Sequence, residues 1–301
     1  MPRAPSDPPA GLREVPCLFC GESDERLRFR DGPFRVVECR RCGLVYVNPR
    51  LPPERLHEMY QEEYWSSDRA SEFGYTQYLH EGPLYQRTYR LRSRIIRRYK
   101  PQPGRVLDVG CAAGFFLSVM AGMGWDTTGI EISAPMVAYA QDSLRLPDIR
   151  RGDILGVDLP ARSFDVITLW DVIEHLEDPR PHLRRAAALL KDDGVLVLET
   201  QNVASRFARL LGHRWQHYKH EEHLYHFDPA SLARLLGDCG FTLLENTPRL
   251  GGKYVSMQFL VERVGRIHPV LSTLASPLRL LGRSAVYLNF RDEMVAVARK
   301  R

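Results

Sequence analysis

The chain has 301 residues, 44% of them hydrophobic and 26% charged, which is the balance of a globular protein with a real core and excludes a disordered chain. It contains no run of about 18 apolar residues, so no membrane-spanning helix is expected. A formal net charge of +5 is too small to demand a nucleic-acid partner by itself.

Residues 1–14 are rich in proline and polar side chains, lack the apolar stretch of a signal peptide, and read as a disordered lead to a cytoplasmic protein. Residues 15–50 read as short strands and turns around two cysteine pairs, Cys17-Leu-Phe-Cys20-Gly21 and Cys39-Arg-Arg-Cys42-Gly43. Two residues between cysteines let one turn present both sulfurs, and a following glycine tolerates positive φ. The spacing predicts a closed, structural Zn2+ site of four thiolates, hence a zinc ribbon too small to fold without its metal.

Residues 51–100 read as a helical linker or cap. Pro53 opens a helix over Glu54–Tyr60, residues 61–80 show no clear period, and a second helix spans 84–99 and stops before Pro101. The arginine-rich run Arg90–Lys100 is a solvated helix face or a phosphate-binding patch.

From residue 101 to 249 short apolar runs alternate with helical stretches. Strands are expected at Arg105–Val109, Asp126–Glu131, Ile149–Gly152, Phe164–Leu169, Gly194–Thr200 and Phe241–Glu245. Helices are expected at Gly114–Met123, Ala134–Ser143, Arg180–Leu190 and Pro229–Cys239, the last capped by Asp228. This alternation predicts an α/β, Rossmann-like parallel sheet covered on both faces. A seventh strand, Met294–Ala298, follows no crossover helix and is expected to insert antiparallel. Residues 250–301 are read as a helical insertion plus that strand. Within it the apolar run Pro269–Leu281, flanked by Arg266 and Arg283, suits a lid, a dimer contact or a membrane-surface helix.

The loop Val106-Leu-Asp108-Val-Gly110-Cys111-Ala-Ala-Gly114 follows a strand and opens a helix, as nucleotide-binding loops do. Glu131 then ends the second strand, Asp153 follows the third, and Asp165 opens the fourth. The ordered set LDVGCAAG, GIEIS, GDI, FDVITLWDVIEHLEDP and LKDDGVLVLET resembles class I S-adenosylmethionine (SAM)-dependent methyltransferases over residues 104–247, about half of the chain. It is most similar to ubiquinone-biosynthesis O-methyltransferases and to sugar and natural-product methyltransferases, some with an N-terminal zinc-binding segment. The resemblance implies SAM as cofactor. Asp108 then lies by its methionine end, Gly110, Cys111 and Gly114 form its loop, and Glu131 with Ile132 holds the ribose. Asp153 and Ile154 border the adenine, and Trp170 closes the set. Ala112 stands where that family's loop has its middle glycine, and a slightly tighter loop is expected.

Past the fourth strand, Asp171-Val-Ile-Glu174-His175 is similar to an E-x-x-E-H run associated in the family with Mg2+. His175 suits a general base, Asp171, Glu174 and His175 suit a divalent ion, and Glu174 with His175 also suits a helix cap. Residues 213–226 hold His213, His217, His220, His223 and His226, five of the ten histidines. His220 and His223 are the candidates for acceptor contact, with Trp215, Tyr218 and Tyr225 as an apolar pocket wall; a metal site and plain packing are the other readings. The leading expectation is O-methylation of a small-molecule, sugar or lipid-linked hydroxyl, by a monomer or a homodimer. RNA methylation, sugar C-methylation and a non-catalytic binding module are its rivals.

Overall fold

The computed structural model describes residues 11–59, 78–257 and 284–301. Residues 60–77, which hold the end of the expected Glu54–Tyr60 helix and most of the stretch without a clear period, and the run Pro269–Leu281 lie outside the described residues.

Seven strands form one sheet: β4 (Arg105–Val109), β5 (Asp126–Glu131), β6 (Ile149–Arg151), β7 (Phe164–Trp170), β8 (Leu190–Gln201), β10 (Phe241–Thr247) and β13 (Glu293–Lys300). Their order is β10-β13-β8-β7-β4-β5-β6. β13 runs antiparallel to both neighbours, Met294 facing Thr200 and Thr247 facing Val295, whereas β4 to β8 pair in parallel. The expected antiparallel insertion is therefore present, and most predicted strand and helix bounds fall within a few residues of the observed ones.

Both faces of this sheet are apolar because successive side chains point oppositely. Val106, Val166, Val197 and Val297 pack on one face with Ile95 and Ile96 of α2 (Gly82–Tyr99), Phe116 and Met120 of α3 (Phe115–Ala121) and Ala140 of α4 (Ala134–Asp142). Their sequence neighbours Leu107, Ile167, Leu196 and Ala298 pack on the other. There they meet Leu183 and Ala186 of α5 (Pro179–Leu189) and Leu232 and Leu235 of α7 (Pro229–Asp238). Asp228 caps α7 as expected, in a reciprocal box with Ser231.

The cysteine-bearing segment forms β1 (Glu25–Asp31), β2 (Phe34–Cys39) and β3 (Val45–Val47), and α1 (Pro53–Met59) follows. This ribbon is not a separate body. Its sheet continues into β9 (Tyr225–His226), with Val45 opposite His226 and Tyr46 opposite Tyr225. Cys17, Leu18, Val37, Leu44 and Tyr46 share the same core as α5 and α7. The boundary expected at residue 50 is thus crossed by backbone pairing and by buried apolar surface.

Of residues 250–290 only the two ends are described, and the expected helix lies outside them. The described ends form an antiparallel pair, β11 (Lys253–Ser256) and β12 (Ala285–Leu288), with β11 lying on α2. Val255, Tyr287 and Val286 are strand-forming residues, and Thr88 of α2 holds the pair through a bond from the Tyr254 N–H at 2.9 Å.

Candidate functional site

The four thiols converge. One sulfur from each of Cys17, Cys20, Cys39 and Cys42 lies within 4.8 Å of the others, Cys17 and Cys42 being 3.5 Å apart. Gly21 and Gly43 take positive φ, 68° and 78°, and their N–H groups donate to the carbonyls of Cys17 and Cys39, closing two matched turns. Four converging thiols with no other ligand type among them fit a closed tetrahedral thiolate site, and two turns of the same build hold them.

The second centre lies at the carboxyl ends of β4 and β7, where neighbouring crossovers leave in opposite directions and an open sheet forms its crevice. Asp108 is 2% exposed and accepts a 2.6 Å bond from the Thr168 hydroxyl on the adjacent strand. Burial pushes its carboxyl up to about 8, and the charge of Glu131 adds to the shift. Gly110 and Gly114 adopt φ of 71° and 79°. A Cβ on Gly110 would meet Val172 at 2.8 Å and one on Gly114 would meet Leu146 at 2.6 Å. The crowding that demands glycine therefore comes from the protein's own packing. Ala112 also sits at positive φ, 46°, so the alanine is held in a left-handed conformation that glycine adopts freely, rather than merely narrowing the loop.

Glu131 is held by backbone amides at the end of β5. Its oxygens accept the N–H groups of Ala112 at 2.9 Å and Ser133 at 2.8 Å, clamping the glycine loop to the end of β5. Burial still raises its pKa, against the pull of these amides. Cys111 is buried, its sulfur close to where a Cβ on Gly129 would stand, a small filler between strands. Ile132 is exposed at the mouth, while Ile154 is buried. Asp153 bonds the Leu155 N–H and faces His182 Nε2 at 2.8 Å, a partner that nothing in the sequence signalled. Trp170 packs among Phe116, Tyr89 and Arg92, and its buried indole N–H has no hydrogen-bond partner among the described residues.

Past β7 the structure brings His175 and His223 together. Their rings meet edge to face at 4.6 Å, and with Glu174 they offer three ligand atoms within 4.8 Å of one another. His223 Nδ1 faces the His217 carbonyl at 2.9 Å, so it carries the proton and Nε2 keeps the lone pair. His175 bonds the backbone of Glu222, and burial holds its pKa down to about 4. Glu174 is 1% exposed and accepts a 3.0 Å bond from Thr200. Burial, reinforced by Asp171, pushes it up to about 8.

Asp171 does not join this set as the expected magnesium ligand. Lys253 on β11 holds it at 3.1 Å and binds Glu293 at 2.8 Å, so the carboxylate is neutralised within the protein and held down to about 2, against its burial. Two imidazoles and one carboxylate suit a first-row transition ion better than Mg2+, which favours oxygen. Arg92 pairs with Glu199 beside Lys253, building a buried charge network that the sequence did not announce.

The other members of the histidine stretch diverge. His220 lies against the ribbon, 3.0 Å from Asp31 and beside Phe29 and Phe34. His217 faces Asp292 and Glu293 at 3.6 and 3.5 Å, and His213 is exposed. Trp215 and Tyr225 are buried core residues between ribbon and sheet, so they do not wall an open pocket. Trp215 donates to Asp292, and Tyr225 donates to the Glu177 carbonyl.

Comparison with known proteins accords with this geometry. Residues 84–246 match the methyltransferase domain family. A ubiquinone biosynthesis O-methyltransferase of Xanthomonas axonopodis pv. citri (strain 306) is 34% identical over 169 residues, covering 50% of this chain and 67% of that one. One of the same description from Rhodopseudomonas palustris (strain HaA2) is 37% identical over 102 residues, 33% of this chain and 40% of that one. The chain thus spans between two fifths and two thirds of these relatives. The magnesium protoporphyrin IX methyltransferase of Synechocystis PCC 6803, solved with bound S-adenosylhomocysteine, shares the fold at a TM-score of 0.53 and 17% identity, over 83% of this chain and 100% of that one. With more than half of its length matched to that family, and with its sheet, this chain belongs to the methyltransferase domain family.

Proposed function

We propose that the protein transfers a methyl group from SAM to a hydroxyl of a small molecule, with His175, His223 and Glu174 at the acceptor. The observation that carries this reading is the convergence of those three side chains in and beside the segment after β7, where Val172 packs directly on Gly110 of the glycine loop. An acceptor hydroxyl loses its proton near the transition state of the displacement, and a neutral imidazole lone pair is a suitable recipient. The fixed tautomer of His223 supports its role as that base, with His175 and Glu174 orienting the acceptor. Asp108, Gly110, Cys111, Gly114, Glu131, Ile132, Asp153, Ile154 and Trp170 make up the proposed cofactor side, and SAM supplies the electrophilic methyl when bound there. The O-methyltransferase relatives favour oxygen over carbon or nitrogen as the atom methylated. A sugar, glycolipid or natural-product intermediate is the acceptor class we favour, in the cytoplasm. Zn2+ is the ion we assign to Cys17, Cys20, Cys39 and Cys42.

The test is incubation of methyl-labelled SAM with purified protein and fractionated cell extract. Label in a small-molecule or lipid fraction is expected, and label in an RNase-sensitive fraction would replace this reading by the RNA enzyme. His223→Ala is expected to lower transfer at least about 100-fold, within the range for a lost general base, with affinity for S-adenosylhomocysteine unchanged by calorimetry. Near-normal transfer would remove His223 from the mechanism.

A further inference from the structure

The pair formed by Asp153 and His182 stands at the carboxyl edge of the sheet. Gly152 follows β6 with a φ of 146°, which favours glycine, and its N–H donates to the Glu131 carbonyl at 2.9 Å. Asp153 is thereby set on the same edge as Glu131 and the glycine loop. Its carbonyl accepts the N–H groups of Gly156 and Val157 at 3.0 Å, and its Oδ1 accepts that of Leu155 at 2.7 Å. This turn fixes the backbone and one oxygen of Asp153, while the side chain stays 43% exposed.

The other oxygen faces His182, with Nε2 2.8 Å from Oδ2. An ionised carboxylate only accepts, so Nε2 carries the proton of this bond. The imidazole is mostly covered, and Nδ1 lies 3.3 Å from the Asp178 carbonyl one turn back. Helix α5 does not turn to suit the pair: Leu183 and Ala186 are buried against the sheet, and Asp178 caps the first turn. His182 is therefore a short arm from a fixed helix to a carboxylate on another crossover. A half-exposed pair of this kind adds little to stability. A bond that fixes the direction of a carboxylate at a ligand-binding edge acts on recognition instead, as the partners behind metal ligands do.

We propose that His182 is a positioning residue for the nucleobase: it aims Asp153 so that the carboxylate accepts the exocyclic amino group of adenine, selecting a 6-amino over a 6-oxo purine. The proposal rests on the cofactor reading above, in which Asp153 borders the adenine. A 6-amino group donates to a carboxylate, whereas a 6-oxo group sets a second acceptor against it. Without the imidazole, the carboxylate loses one of the two bonds that set its direction.

The test is calorimetric titration of the full chain with S-adenosylhomocysteine and with S-inosylhomocysteine, its 6-oxo analogue. Wild type is expected to favour the amino form by at least about 100-fold, as a site built to bond a group rejects the analogue that lacks it. His182→Ala is expected to weaken S-adenosylhomocysteine about tenfold and to leave the 6-oxo analogue within about twofold, the loss of one charge-assisted hydrogen bond. His182→Gln carries a donor at a similar reach and is expected to restore affinity to within about threefold of wild type. In an Asp153→Ala background, His182→Ala should have no further effect, since the histidine acts through that carboxylate. Equal losses for the two ligands, no loss, or a wild type indifferent to the 6-position would each overturn the proposal. Binding of neither ligand by the wild type would overturn the cofactor reading itself, and the proposal with it.

Discussion

Asp108 and Glu174 share an unusual state: each is almost wholly buried, accepts one threonine hydroxyl and is pushed up to about 8. An unfolded carboxyl titrates near 4, so the folded protein binds these protons more tightly than the unfolded chain. Their contribution is fully present below that unfolded value and is lost as pH rises toward 8. Asp108→Asn keeps an acceptor for Thr168 but cannot ionise. It is expected to raise stability at pH 8 by about 2 kcal/mol, read from the urea midpoint, while abolishing measurable binding of S-adenosylhomocysteine. A midpoint no higher than wild type would refute the burial account. The wild type should bind that ligand more tightly as pH rises from 6 to 8, releasing a proton, because the ligand's ammonium group prefers the ionised carboxyl. Calorimetry in buffers of different ionisation heat counts that proton.

At the scale of elements, β9 is the joint of the molecule. It is two residues long, yet it closes the ribbon sheet on β3, and the residues just before it carry His223. The Val47 N–H donates to the Leu224 carbonyl while the Leu224 N–H donates to the Glu174 carbonyl, so one residue ties the ribbon to the segment that carries Glu174 and His175. So short a strand has little stability of its own and depends on both neighbours. Chelating the Zn2+ proposed for the four cysteines, or Cys39→Ser, is expected to lower the melting temperature and to speed hydrogen exchange in residues 223–227 by at least about tenfold. The glycine loop should remain intact, keeping cofactor affinity within about twofold. Unchanged exchange in that segment would show that the ribbon does not hold the residues around His223.

Across the whole molecule, the network of Arg92, Glu199, Glu293, Lys253 and Asp171 fastens α2, β8, β13, β11 and the segment after β7 together. Arg92 stays charged: against the downward pull of burial, the charge of Glu199 beside it holds its pKa above the ordinary value, while burial raises that of Glu199. Glu199→Ala strands the guanidinium and is expected to cost about 3–5 kcal/mol in urea unfolding. The double replacement Arg92→Met, Glu199→Leu should cost far less, since it removes both charges and keeps volume. Equal losses in the two would mean that packing, and not the unpaired charge, sets the penalty.

The sequence by itself determined the elements whose information is local. Short apolar runs set between helical stretches named the sheet strands, Asp228 and Pro229 marked the start of α7, and the matched CxxCG turns predicted the thiol cluster. The glycine loop with Asp108 was legible for the same reason: one short turn carries it. Only the tertiary structure decided which of five neighbouring histidines meets Glu174, because that depends on contacts across roughly fifty residues and on a ribbon strand far off in the chain. It also decided that Lys253 takes Asp171, that His182 takes Asp153, and that Trp215 and Tyr225 are core rather than pocket. Ion pairs and aromatic packing between distant segments leave no period in the sequence. Their partners are set by how the sheet and the ribbon share one apolar interior, which brings polar side chains together at its edges.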